Sequence, residues 1–183
     1  MLERYLIEHC SPTLASLKTA SLFTITYITH SDLLSQLEQW NLRLGKKGVT
    51  LRVVRETGSS ALVYVYRKQK LASDLQKPGV AALLRRYGYE SVQVDQAVAR
   101  LERRLSADGE FPHEIGLFLG YPLGDVIGFI RNAGSNSKCS GCWKVYCNEC
   151  EAVRLFARLR RCRAIYARLW ELGRSVEQLT VAA

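Results

Sequence analysis

The order in which hydrophobic periodicities change along this chain constrains its fold most. Residues 23–28, 49–55 and 60–67 alternate apolar and polar side chains with a period of two, or are rich in Val, Leu and Tyr. They read as strands. After residue 67 the apolar positions recur every three or four residues, which is the period of helices. Strands early and helices late, without the repeating βαβ alternation of a parallel sheet, predict an α+β fold. The expectation is a small antiparallel sheet packed against several helices, with a long C-terminal amphipathic helix.

Local signals refine this. The strands at 49–55 and 60–67 flank Gly58-Ser59 and read as an antiparallel hairpin. Between the first strand and this hairpin, Leu33, Leu34, Leu37, Trp40 and Leu44 form a helical stripe, started by Ser31-Asp32 as cap and ended by Gly45 and Gly48. At the N-terminus, residues 2–9 read as one helix. Pro12 suits the first turn of a second, with Cys10 or Ser11 as its N-cap. Helices are expected near 71–75, 79–87 and 92–106. Residues 151–173 carry the clearest stripe of all: Leu155, Phe156, Leu159, Cys162, Tyr166, Leu169 and Trp170.

With 183 residues, one domain spanning 1–183 is expected, carrying a cysteine-rich segment at 139–150. A composition of 48% apolar and 23% charged residues excludes disorder and collagen-like repeats. No apolar run has the length of a membrane helix, and the first residues do not read as a signal peptide, so a cytoplasmic protein without a membrane partner is expected. The six cysteines are then thiols or metal ligands before they are disulfides. A net charge of +9 permits an acidic partner without demanding one. Signatures for dinucleotide binding, phosphate loops, nucleophile elbows and zinc proteases are missing, which lowers those chemistries.

Residues 111–132 differ in kind. Two short apolar helices are expected there, one started by Pro112 and ended by Gly120, the other over 123–131. Their four glycines require close packing or a ligand as a reason. The stretches His9-Cys10-Ser-Pro-Thr-Leu-Ala and Pro112-His-Glu-Ile-Gly-Leu-Phe-Leu-Gly-Tyr-Pro-Leu-Gly-Asp-Val, with Trp143-Lys-Val-Tyr146 and the Phe156, Cys162, Tyr166 helix, resemble the signature blocks of a bacterial family, domain of unknown function 3793. The resemblance covers essentially the whole chain and implies membership without a mechanism. In that pattern Gly or acidic residues commonly stand at the positions of Cys147 and Cys150, so a second cysteine pair belongs to a subset.

Three constellations carry chemistry. Cys139, Cys142, Cys147 and Cys150 form Cx2C-x4-Cx2C, four thiolates suited to Zn²⁺ or an iron–sulfur centre. The linker 143–146 has strand character, and extended chain would hold Cys142 and Cys147 roughly 17 Å apart. One metal therefore needs a linker that turns back. Reduced thiols, or one Cx2C pair doing redox work, are the alternative. Second, Cys10 at a helix start would gain thiolate stabilisation from the dipole, helped by His9 and Lys18. His113 and Glu114, at another helix start, would supply base and orienting carboxylate, or Cys10 and His113 would ligate haem or another metal. Two helix starts facing one pocket would attract a small anionic ligand. Third, Arg154, Arg158, Arg161 and Arg168 line one edge of the last helix. They are a solvated face or a contact for nucleic acid, although no nucleic-acid module accompanies them.

Two functional expectations result. One is a small-ligand or cofactor-binding protein or thiol-dependent enzyme, with its site where Cys10 meets His113 and Glu114. The other is a non-catalytic metal-stabilised module with a basic face for an acidic partner.

Overall fold

Both faces of the strand read at 60–67 are apolar, and that makes it the middle of the sheet. The computed structural model describes residues 2–107 and 109–182. Among them the elements run α1 (Leu2–Leu14), β1 (Ala20–Thr26), α2 (His30–Gly45), β2 (Val49–Thr57), β3 (Ser60–Arg67), α3 (Lys68–Leu75), α4 (Val80–Arg86), α5 (Val94–Ser106), α6 (Ile115–Phe118), α7 (Leu123–Arg131), β4 (Cys139–Ser140), β5 (Lys144–Val145), α8 (Glu149–Glu171) and α9 (Val176–Leu179). The fold is α+β, as the ordering of periodicities implies. The main sheet has the order β1-β3-β2 with both pairings antiparallel.

Alternation along β3 divides the core in two. Leu62, Tyr64 and Tyr66 face one layer of buried residues from α3, α4, α5 and α6. Ala61, Val63 and Val65 face the other, built from α1, α2 and α9 with Tyr166, Leu169 and Trp170 of α8. A bulge between Val53 and Arg55 in β2 turns Val54 into the first layer while Val53 packs on the second. The tight turn at Thr57–Ser60 needs a positive φ, which Gly58 supplies at 58°. The free edge of β2 is covered by Asn41 of α2, whose side chain donates to the Leu51 carbonyl and accepts from its N–H.

Several boundaries differ from expectation. α1 does not break at Cys10; it runs through Pro12. A proline in the last turn removes only the bond to the Glu8 carbonyl, and the Ser11 hydroxyl donates to Ile7 O beside it. The helix ends at Leu14, five residues beyond the expected end at residue 9. Ser16 stands in the left-handed region at φ 58°, Leu17 N–H reaches Pro12 O (2.9 Å) and Ser16 N–H reaches Thr13 O (3.1 Å). β1 starts at Ala20, three residues before the strand read at 23–28. α2 is capped by Thr29, which accepts from Asp32 N–H, rather than by Ser31 or Asp32. His113 and Glu114 lie in i→i+3 turns ahead of α6, so neither stands in the first turn of a regular helix. Of the strand character read at 143–146, Lys144–Val145 forms a strand that folds back on Cys139–Ser140.

A buried arginine ties the second layer together. Arg67, at the end of β3, is 2% exposed. It donates to the carbonyls of Thr13 (2.6 Å) and Leu14 (2.7 Å) at the C-terminus of α1, to Val181 O (2.7 Å) and to Lys47 O (3.2 Å). Cationic donors at the negative end of a helix are favourable, and these carbonyls have few other partners. Arg67→Met keeps the chain length and removes every donor. It is expected to cost about 3 kcal/mol, the scale of several charge-assisted bonds lost with buried carbonyls orphaned, read as a lower midpoint in urea unfolding.

Candidate functional site

An aromatic pocket of about 280 Å³ opens between the α6–α7 segment and the β4–β5 hairpin. Phe111, Phe129, Tyr121 and Trp143 give it apolar walls, and His113, Cys142 and Lys144 give it polar groups. Its construction explains the glycines. A Cβ on Gly128 would strike the Tyr146 ring and one on Gly124 would strike the Cys147 sulfur, so α7 meets the 146–147 segment at backbone distance. Asp125, 3% exposed on α7, fixes that segment: it accepts from Trp143 Nε1 (2.8 Å), Tyr146 N–H (2.8 Å) and Cys147 N–H (2.9 Å). Trp143 is thereby laid on Tyr121 with ring centroids 4.7 Å apart, and edge-on to Phe156 of α8 at 4.6 Å. The Tyr121 hydroxyl donates to Cys142 O at 3.3 Å, and burial, with Cys142 adding to it, pushes that phenol up to about 12. His113 packs its ring 5.0 Å from Phe129 and keeps about a third of its side chain exposed.

The residues singled out in the sequence fall in different places. Cys10 is fully buried in the second core layer, in the interior of α1, and burial pushes its thiol up to about 12. It has no helix start to lower it. His9 is exposed and stacks on Phe23 and Tyr5. Glu114 is fully buried, bonded to Arg104 Nε and to the Tyr89 hydroxyl (3.1 Å), with Oε2 left without a partner. Tyr89 belongs to the first core layer, so Cys10 and the partners of Glu114 lie on opposite faces of the sheet. A shared site of Cys10, His113 and Glu114, whether thiol triad or haem pocket, is thus corrected: the sheet stands between them. The cysteine that shares a pocket with His113 is Cys142.

The four clustered thiols divide as well. Cys139 and Cys142 are half-buried and open to a cleft with Val153, Phe156, Arg160 and Arg163 of α8. Cys147 is exposed and lines a groove with Glu151, Arg154, Leu155 and Arg158. At ~100° per residue these two sets of α8 positions face nearly opposite directions. Cys150 is exposed in the first turn of α8. Among the described residues no group of three or more His, Cys, Asp or Glu side chains is placed to hold a metal ion. The donor set as arranged does not fit one tetrahedral metal, and no chemistry is routed through one. Arg154, Arg158, Arg161 and Arg168 are all exposed, as a solvated face requires. No helix of the described residues is long and apolar enough to cross a membrane.

Lys18 is the residue whose surroundings are least ordinary. Its ammonium lies 5.3 Å from the centre of the Tyr121 ring. Burial, with the charge of Arg163 adding to it, pushes Lys18 down to about 8 against the pull of Cys142. Sequence reasoning missed Tyr121, Asp125 and Lys144 as parts of a site. A lone carboxylate inside the apolar run Gly124-Asp125-Val126-Ile127 was the available signal, since such a group needs several donors.

Two outcomes follow from these placements. Iodoacetamide at pH 7.5 is expected to alkylate Cys147 and Cys150 within the time that leaves Cys10 unmodified in the folded protein, as read by peptide mass spectrometry. Labelling of Cys10 at the rate of the exposed thiols would contradict its burial. Glu114→Ala is expected to lower stability by about 3 kcal/mol, because Arg104 loses its partner inside the core; chemical unfolding measures it.

No curated protein and no solved structure matches this chain. The family model described as protein of unknown function (DUF3793) matches residues 6–180. With nearly every residue from α1 to α9 inside that match, the chain belongs to this family.

Proposed function

We propose that this chain is a small-ligand-binding protein whose site is the aromatic pocket beside Cys142. The observation that carries the reading is the pocket itself: about 280 Å³, walled by Phe111, Tyr121, Phe129 and Trp143, with His113 and Lys144 beside them. Mainly apolar concavities with a few convergent polar groups are what small-molecule sites look like. Stacked aromatic walls favour a planar ligand, and the two basic side chains favour an acidic group on it. The Asp125 oxygens are taken up by three neutral N–H donors from residues 143–147, so they serve the pocket wall rather than the ligand.

The presence of Cys142 and His113 on one pocket supports a second reading, thiol-dependent chemistry on the bound ligand. Cys142 would be the nucleophile and His113 the base, the roles that the sequence suggested for Cys10 and His113.

Saturation-transfer NMR with 2-naphthoate and indole-3-carboxylate tests binding. Signals are expected with the native chain. They should be abolished by Ser140→Trp, which puts a large side chain on the pocket wall from an exposed position, and weakened about tenfold by His113→Ala through loss of a hydrogen-bonding partner. Transfer that persists unchanged in both variants, or is lacking in the native chain, overturns the reading. Iodoacetamide then addresses the second one: protection of Cys142 by bound ligand is expected, and equal labelling with and without ligand excludes the thiol from the site.

A further inference from the structure

On the far side of the Cys139–Cys142 segment from the aromatic pocket lies a second concavity, of about 360 Å³. Arg160 and Arg163 enter it from α8. At i and i+3 they share a helix face, so both guanidinium groups reach the same space. Lys18, in the turn after α1, has its ammonium 5.3 Å from the centre of the Tyr121 ring and does not line the cleft. Two cations therefore face one thiol-bearing loop. Among the described residues neither arginine has a carboxylate within 4 Å, whereas Arg4, Arg52, Lys68, Lys77 and Arg104 are each paired with one.

Unpaired arginines on a solvated helix face need no explanation. Half-buried ones do, because a charge withdrawn from water and held against a like charge is unfavourable unless an anion completes the set. Arg163 is half-buried on the cleft wall; Lys18, also half-buried, is pushed down chiefly by its burial, with the charge of Arg163 adding to it. The thiols of Cys139 and Cys142 are the acidic groups on the cleft wall, and neither is a permanent charge.

We infer that this cleft is a binding site for a small organic phosphate, its phosphoryl group held by Arg160 and Arg163 and its remainder on Val153 and Phe156. Two guanidinium forks offer more donors than the two oxygens of a carboxylate can take up, which suits the three oxygens of a phosphoryl group. The cleft is larger than inorganic phosphate requires, and its apolar walls supply surface for an organic group. The cleft and the aromatic pocket are separate cavities that share the 140–142 segment as a wall.

Calorimetric titration with phenyl phosphate, at ionic strength held constant with sodium chloride, tests this. Binding is expected in the native chain and at least about tenfold weaker in Arg160→Ala, an exposed substitution that leaves the core intact, and in Arg163→Ala. Arg158→Ala, in the groove on the opposite side of α8, is expected to bind as the native chain does. Circular dichroism of each variant confirms that it is folded. Inorganic phosphate should bind more weakly than phenyl phosphate. Lack of heat in the native chain, equal losses in Arg158→Ala and Arg160→Ala, or undiminished binding in Arg160→Ala and Arg163→Ala together would each overturn the inference. An effect reproduced by sodium chloride alone would do the same, marking general charge screening.

Discussion

A guanidinium buried with no carboxylate partner among the described residues is the constraint on which the second core layer depends. Arg67 leaves the central strand at its last residue and finds the end of the first helix, the loop before β2 and the chain near Val181. The Thr13 and Leu14 carbonyls also accept from the N–H groups of Ser16 and Val181, and Arg67 fills the lone pairs these leave in the interior. One side chain satisfies them together, and so it fixes where α1 stops and where the segment after α9 lies. Lys47 repeats the device at the surface, donating to Glu177 O (2.6 Å) and Thr180 O (2.8 Å). Polar closure of helix ends thus complements the apolar contacts of the layer.

The first layer and the pocket follow a different logic. Tyr64, buried in the middle strand, donates to Phe118 O at 2.6 Å and so anchors α6 to the sheet. From α6 the chain passes to α7, where Asp125 plays for the cysteine-rich segment the part that Arg67 plays for α1. Three donors from residues 143–147 converge on its carboxylate, which aligns the hairpin, presents Trp143 to Tyr121 and puts Cys142 at the junction of two cavities. The site is therefore a by-product of how a loop without much secondary structure is pinned to a rigid helix.

What was legible in the sequence is what periodicity encodes. The 49–67 hairpin, α5 and the long α8 carry runs long enough for their apolar stripes to be unambiguous, and they occur where they were read. The pairing of β1 with β3 rather than with its sequence neighbour was not legible, because it is set by which strand must be apolar on both faces. Pro12 misled in a more instructive way. A proline near a cysteine and a serine reads as a helix start, and the catalytic reading of Cys10 rested wholly on that start. In the last turn of an existing helix the same proline costs one hydrogen bond, and the thiol sinks into the core. His113 was found, but its neighbour was not, since the pocket is assembled from segments about thirty residues apart through a buried carboxylate that no local pattern announces.

The reach of Arg67 has a consequence for the order of folding. Lys47 O lies 20 residues away along the chain, but the other three partners lie 53, 54 and 114 residues away, so no local fragment can hold that charge fully satisfied. Closing such distances costs loop entropy before any bond is returned. The hairpin can form early with its terminal arginine still in water. The full set of bonds to this guanidinium is complete only when the first helix and the residues after α9 are both in place.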